Sequence, residues 1–445
     1  MDSVYIKRLE IKNFKGIDSL SFDFDKRVNV FIGENGVGKS SILFSLSMAL
    51  SRFIGRMKSL SSNGILFNKD YIKNSATESS IKTEMVYNSK NIDWIIGKKR
   101  YQTKQTITNL DKINEIVLAV NEELKKNSNC SLPVVVFYGV GRNVLDVPLK
   151  IRTKHKFDQL AAYDEALLKE RSVNDFRLFF EWFRNREDIE NEKIRDLSLK
   201  ERSENYQASF FDMFDLSDPQ LDAVRSAIQS IMPDLENLRV KRSPLRMVLT
   251  KKIKGSKVEI KVDQLSDGEK CTLSMVGDLA RRLSIANPDS TDPLKGKGIV
   301  LIDELDLHLH PGWEVTILQR LKDTFPNCQF IVSTHSPLIL SSLNPENIFM
   351  LSIDDSSKII FKHPELAKGL SIKDILSSLM SVAKERDEET AAFLKQIDSY
   401  LLDEDIESAK KQMESLKKHL DGKEIPEMKG LNAAIQMLEF EDEEK

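Results

Sequence analysis

Residues 4–11 alternate apolar and polar, residues 13–17 (Asn-Phe-Lys-Gly-Ile) make a turn, and residues 20–24 alternate again. A period of two marks half-buried strands, so the chain is expected to open with an antiparallel pair. Residues 28–32 are apolar without a break, and residues 41–50 are apolar at helical spacing, which predicts a buried strand followed by a helix. Residues 51–74, polar and carrying Gly55 and Gly64, read as loop or weak helix. Alternation returns over 80–94 and 98–108 and predicts further strands. Ile113, Ile116, Val117, Val120 and Leu124 define a helix over 109–127, and residues 133–138 form a short apolar strand of a central sheet.

Beyond residue 164 the character changes. Ala166, Leu167, Phe176, Phe179, Phe180, Trp182 and Phe183 lie among charged neighbours and predict an inserted helical segment. Its aromatic face reads as internal core before it reads as a partner surface. A helix over 221–231 stops at Pro233, and strands are expected over 238–249 and 257–262. A helix then runs from about 265 to 283, and continuous apolar strands occupy 298–302 and 329–332. After residue 353 the text is helical and charged, with candidate helices at 372–380, 390–402, 406–420 and 431–440. Ile406, Met413, Leu416 and Leu420 share one side of the third, a face to bind a partner or a second copy or, equally, to pack on the head.

The chain has 445 residues, 40% hydrophobic and 30% charged, enough for two or three domains. A net charge of −3 argues against a globally basic nucleic-acid binder. A local basic face remains at Arg239, Lys241, Arg242, Arg246, Lys251, Lys252 and Lys254, set against the plainer reading of a lysine-blunted strand edge. Cys130, Cys271 and Cys328 form no C-x-x-C pair, which points away from a disulfide framework or a cysteine zinc site. The first residues lack a signal peptide's apolar core, and no stretch reads as a membrane span. The expectation is a cytoplasmic protein with no membrane partner.

Chemistry enters at Gly33-Glu34-Asn35-Gly36-Val37-Gly38-Lys39-Ser40, a complete G-x-x-x-x-G-K-[ST] phosphate loop between the predicted strand and helix. Gly33, Gly36 and Gly38 let backbone N–H groups turn toward phosphates, with Asn35 and Ser41 in the same cradle. Lys39 can reach the β- and γ-phosphates, and Ser40 can hold Mg²⁺ through its hydroxyl. Asp303 and Glu304 end a buried strand, where adjacent carboxylates are costly unless charge awaits them. Asp303 is the candidate magnesium ligand and Glu304 the candidate general base. The predicted ligands are ATP and Mg²⁺.

The order strand, Asn-Phe-Lys, strand, phosphate loop resembles the opening of the SMC/RecF-like branch of the ABC ATPases. Leu265-Ser266-Asp267-Gly268-Glu269 resembles the ABC signature, although a Ser-Asp pair before a helix is also an ordinary N-cap. Residues 305–311 (Leu-Asp-Leu-His-Leu-His-Pro) resemble the D-loop, and His335 within Ser333-Thr334-His335-Ser336-Pro337 stands at the switch-histidine position. The resemblance covers residues 1 to about 352 and implies an α/β fold, an ABC-type ATPase head with a mixed or parallel sheet flanked by helices. It implies four regions: 1–150 and 236–352 as the two parts of the head, 151–235 as a helical insertion, and 353–445 as a helical C-terminal region. It places Lys15 near the nucleotide, Ser266, Gly268 and Glu269 against the γ-phosphate of a second copy, and Asp306 between the two sites. His335 would hydrogen-bond the γ-phosphate. An ATP-sandwiched dimer follows. His308 and His310 are then loop packing, not metal ligands. The family's glutamine has only Gln159 and Gln102 as weak candidates, and the lack of long heptads makes this a compact member.

Tyr138-Gly139-Val140-Gly141-Arg142, Tyr163 with Ala166-Leu167, and residues 179–183 followed by Glu187-Asp188-Ile189-Glu190 resemble the PtuA-type subunit of Septu and retron-associated anti-phage systems. That resemblance implies control of a separate HNH-type nuclease by ATP, with a retron RNA–DNA as a further partner. Neither the length nor the carboxylate cluster of a fused nuclease, as in overcoming-lysogenization-defect ATPases, is expected. Arg142, just past a central strand, reads equally as a phosphate or subunit contact and as a structural arginine. The rival readings are a RecF-like repair ATPase that closes on DNA with ATP and a scaffold with a vestigial ATPase. Intact Lys39, Asp303, Glu304 and His335 argue against the scaffold.

Overall fold

The computed structural model describes residues 3–101, 107–127, 129–142, 156–167, 176–203, 216–380 and 388–443. Two compact units are present, Met1–Ile375 and Leu376–Lys445. Among the described residues, no helix is long and apolar enough to cross a membrane.

In the first unit, β1 (Val4–Phe14) and β2 (Ile17–Asp23) form the antiparallel opening pair. Their inward residues, among them Ile6, Leu9, Ile11, Phe14 and Phe22, are fully buried. β3 (Val28–Ile32) is buried along its whole length and leads through the phosphate loop into α1 (Lys39–Lys58). That helix outruns its expected end because Phe53, Ile54 and Met57 continue the buried stripe. The alternating run near 80–94 is two strands, β4 (Glu78–Tyr87) and β5 (Lys90–Lys99). Asn88 and Ser89, both at positive φ, turn the chain between them without interrupting the polar–apolar rhythm. Of the run 98–108, only its start belongs to β5, and 102–106 lie outside the described residues.

α2 (Asp111–Lys126) precedes β6 (Val134–Tyr138). α3 (Phe176–Ser203) buries Phe176, Phe179, Phe180, Trp182 and Phe183, so its aromatic face is core. After α4 (Pro219–Ile231) the expected strand 238–249 is a hairpin of β7 (Leu235–Arg242) and β8 (Leu245–Ile253), turned at Ser243-Pro244 and followed by β9 (Ser256–Lys261). Then come α5 (Asp267–Ala286), β10 (Gly298–Ile302), α6 (Pro311–Thr324), β11 (Cys328–Ser333), α7 (Pro337–Leu340), β12 (Ile348–Ile353) and β13 (Ile359–Lys362).

The central sheet runs β13-β12-β3-β11-β10-β6. All its pairings are parallel except β12 with β13. β3, β6, β10 and β11 are buried throughout, as expected for parallel strands covered on both faces. A four-stranded sheet, β2-β1-β4-β5, is fastened to it by the fully buried Gln329, which bonds the N–H and C=O of Ile6 and the C=O of Asp25. β7-β8-β9 form a third sheet.

α8 (Ile372–Ser378) spans the division between the units. The second unit holds α9 (Glu388–Leu402), α10 (Ile406–His419) and α11 (Pro426–Glu443) around Ile397, Ala409, Met413, Leu416, Met428 and Ile435. Met413 and Leu416 are buried there, with Ile406 and Leu420 packed on them. The face expected to meet a partner, a second copy or the head packs instead inside its own unit.

Candidate nucleotide site

Parallel pairing in the order β3-β11-β10-β6 brings four strand ends to one edge of the sheet, the edge where open α/β sheets hold ligands. At the end of β3, Gly33 has φ of 144°, and a Cβ there would lie 2.5 Å from the Leu351 carbonyl oxygen. Gly38, at φ 101°, is the N-cap of α1 and supplies no side-chain cap, so the first N–H groups of the helix are left to another acceptor. Lys39 Nζ donates to the carbonyls of Gly33 at 2.7 Å and Glu34 at 2.9 Å. Burial lowers its pKa, against the opposing pull of Asp303, Glu304 and Asp306. Ser40 is exposed at the start of α1, with Ser41 half-buried beside it.

Around Asp303 and Glu304, β10 is tied to both neighbours. Asp303 N–H donates to Tyr138 at 2.8 Å, and Leu305 N–H to Ser333 at 2.9 Å. The Ser333 hydroxyl donates to Asp303 Oδ1 at 2.5 Å and accepts from Glu304 N–H at 2.8 Å. Glu304 has φ of 52°, a left-handed conformation that a side-chain-bearing residue keeps only when its surroundings enforce it. Asp306 accepts from Thr334 Oγ1 at 2.6 Å and from His335 N–H at 3.1 Å, so within one chain it fixes the histidine's turn. Arg142 is buried and donates to the carbonyls of Asp303 at 2.6 Å and Glu304 at 2.5 Å. Both contacts are to backbone, and nothing in the sequence pattern indicated them.

The Asn-Phe-Lys turn reaches the same edge, since a Cβ on Gly38 would lie 4.0 Å from Ile17. Lys15, at φ 52°, sets its ammonium 4.6 Å from the Phe44 ring centroid and 5.6 Å from that of Tyr71. Ser266 caps α5 in a reciprocal box with Glu269, and Lys251 holds Glu269 at 2.6 Å. Burial raises the Glu269 pKa, but Lys251 and Ser266 outweigh it and the net shift is downward. Gly268 is buried against the His308 carbonyl, so the signature rests on the loop that follows Glu304.

Other expectations change. Gln159 donates to the carbonyls of Cys130 and Ala286, the latter at the far end of α5 from the signature, so it is no magnesium ligand. Gln102 lies outside the described residues. His310 caps α6 by accepting from Gly312 N–H. The basic run is not a bare cationic face. Arg239 and Lys241 pair with Glu259, Arg242 with Glu187 and Asp188, Lys251 with Glu269, and Lys252 with Glu236.

Among the described residues no group of three or more His, Cys, Asp or Glu side chains can hold a metal by itself. Mg²⁺ suits what is present: it keeps waters and takes one or two protein oxygens beside substrate phosphates. The exposed Ser40 hydroxyl and the Asp303 carboxylate fit that demand.

A family model described as an AAA domain matches residues 8–236, and one described as an AAA domain, putative AbiEii toxin of a type IV toxin–antitoxin system, matches 137–341. The chain is 30% identical over 423 residues to the retron Ec83 probable ATPase of Escherichia coli, covering 84% of this chain and 76% of that one. It is 29% identical over 466 residues to the retron Vc95 probable ATPase of Vibrio cholerae, covering 94% and 87%. Septu protein PtuA of Bacillus thuringiensis is 25% identical over 403 residues, covering 86% and 85%. The DNA replication and repair protein RecF of Francisella tularensis subsp. novicida is 28% identical over 151 residues, 34% of this chain and 38% of that one. The chain is thus an ATPase that belongs to the AAA-domain family and is similar along most of its length to the retron ATPases and Septu PtuA.

Proposed function

We propose that this chain is the ATP-hydrolysing regulatory subunit of a prokaryotic anti-phage defence complex, controlling a separate HNH-type nuclease through ATP-dependent dimerisation. The observation that carries the ATPase half is the gathering of Lys39, Asp303, Glu304 and the His335 turn at one sheet edge, with Glu304 held at φ 52°. Likeness to retron ATPases and PtuA along most of the chain supports the defence half.

In this reading residues 1–150 and 236 onward form the head and 151–235 an insertion; the expected boundary at 353 moves to about 375, because β13 is an edge strand of the central sheet, and the helical region is 376–445. Backbone N–H groups from Gly33 to Ser41, with Asn35, cradle the phosphates, and Lys39 exchanges its two carbonyl partners for phosphate oxygens. Lys15 lies beside the nucleotide. Ser40 and Asp303 would hold Mg²⁺, which supplies charge neutralisation at the phosphates. Glu304 takes the proton of the attacking water as the bond to the γ-phosphorus forms and ADP leaves. His335 hydrogen-bonds the γ-phosphate. Ser266, Gly268 and Glu269 of a second copy close the site, and Asp306 links the two sites.

The test is native-mass analysis of the tagged protein expressed from its own locus, beside a Glu304→Gln variant. A stoichiometric nuclease subunit, with or without RNA–DNA, is expected. The variant should bind ATP normally, accumulate dimer and lose turnover by about 10²–10⁴-fold. A lone ATP-dependent dimer that binds DNA tightly would move the assignment to repair. Unchanged turnover in the variant would remove Glu304 from the base role.

A further inference from the structure

β6 and β10 are parallel neighbours, with Tyr138 opposite Ile302, so the segment after Tyr138 leaves the sheet beside Asp303 and Glu304. Arg142, four residues on, folds back into that gap and is 3% exposed. One terminal nitrogen donates to the carbonyls of Gly139 at 3.2 Å and Asp303 at 2.6 Å, the other to the Glu304 carbonyl at 2.5 Å. Two successive carbonyls of the carboxylate-bearing turn are thus gripped by one planar group. From the opposite side, the Ser333 hydroxyl holds Glu304 N–H and the Ser333 carbonyl holds Leu305 N–H.

We propose that Arg142 is a positioning residue for hydrolysis: its guanidinium, bridging the Asp303 and Glu304 carbonyls, clamps the turn in the left-handed conformation that aims the Glu304 carboxylate. This rests on Glu304 acting as the base. The clamp has work to do, because a non-glycine residue in this conformation is strained and persists only where its surroundings hold it. A fork-shaped cation suits two carbonyls at fixed separation, whereas a lysine ammonium is a single point on a flexible stem. Both terminal nitrogens are engaged with backbone oxygens and the side chain is buried, so phosphate contact is not its role in this arrangement.

The experiment compares Arg142→Met, Arg142→Lys, Glu304→Gln and the double variant Arg142→Met/Glu304→Gln in the full chain, with whatever subunits co-purify. Dissociation constants are read with a fluorescent ATP analogue, chemistry by single-turnover hydrolysis, and folding by thermal melting. Arg142→Met should keep ATP affinity within about threefold and lose about 10²-fold in single-turnover rate, the scale of a 1 Å misplacement. Arg142→Lys should recover only part of that rate. The double variant should be no slower than Glu304→Gln, because residues acting as one unit are not additive.

A single-turnover rate of Arg142→Met within about threefold of wild type would overturn the clamp, as would losses that multiply in the double variant. So would parallel loss of ATP affinity and melting temperature in both arginine variants, which is the mark of a purely structural residue. If Glu304→Gln itself hydrolyses ATP normally, or wild type shows no turnover, the base reading fails and takes the clamp with it. That outcome is distinct from an inactive Glu304→Gln beside an unimpaired Arg142→Met.

Discussion

Gly268 has no room for a methyl group. A Cβ there would overlap the carbonyl oxygen of His308, and the obstacle is backbone, so no side chain can swing away. Gly36 is the opposite case: a Cβ would meet nothing within 4 Å, and only its φ of 83° asks for glycine. Gly268→Ala must push the loop after Glu304 away from the start of α5. The expected cost is about 1–3 kcal/mol of stability, as for other overpacked sites. ATP turnover should fall with it, since the displaced loop begins at the candidate base. Denaturant unfolding and steady-state hydrolysis check this, and a variant as stable and active as wild type would mean that the contact is not maintained. The phosphate loop and the Asp303-Glu304 pair could be read from the chain because their chemistry is written in adjacent residues. The reason for Gly268 lies 40 positions away in His308, and the partners of Arg142 lie 161 and 162 positions away, so neither has a local pattern to find.

At the scale of elements, α5 shows what a polar–apolar pattern misses. Asp278, Arg281 and Arg282 are charged, yet both arginines are buried. Asp278 accepts from Arg281 at 2.7 Å, from Arg282 at 2.6 Å and from the Tyr138 hydroxyl at 2.9 Å. Arg282 also donates to the carbonyls of Ala162 and Asp164. This network fastens α5 to β6, and Arg142 lies four residues beyond the end of that strand. Burial alone would raise the Asp278 pKa, but the two guanidiniums outweigh it and bring it down to about 2. A depressed carboxylate pKa contributes stability that is fully present above the ordinary value near 3.8 and is lost as pH falls toward 2. The contribution is of order 2 kcal/mol at neutral pH. Asp278→Asn leaves two buried guanidiniums uncompensated and should cost about 3–5 kcal/mol at pH 7. It should also flatten the acid limb between about pH 4 and pH 2. Urea midpoints measured against pH decide the matter, and equal slopes in wild type and variant would exclude Asp278 as the titrating group. The hairpins β4–β5 and β7–β8 were obscured for a different reason. A short turn can preserve the alternation of both strands, so period alone reads across it.

At the scale of the whole molecule, the two units call for separate tests of stability. The second has a core of its own, in which Ile397, Ala409 and Leu416 are fully buried and Met428 nearly so. Three short helices around so few residues make a small core, and small cores leave little margin. Leu416 sits on α10 within that cluster, and truncation leaves a cavity that the other two helices can close only in part. Leu416→Ala should therefore cost about 2–5 kcal/mol, enough to unfold a marginal unit. The residues assigned to ATP all lie in the first unit, between Lys15 and His335, and draw their hydrogen bonds from its strands and loops. Hydrogen exchange should accordingly show protection lost over 388–443 and kept along β3, β10 and β11, with ATP affinity unchanged. If affinity for ATP fell together with protection in the helices, the units would be coupled. The C-terminal helices would then be a component of nucleotide binding, and regulation through them would have to be sought in the ATP site itself.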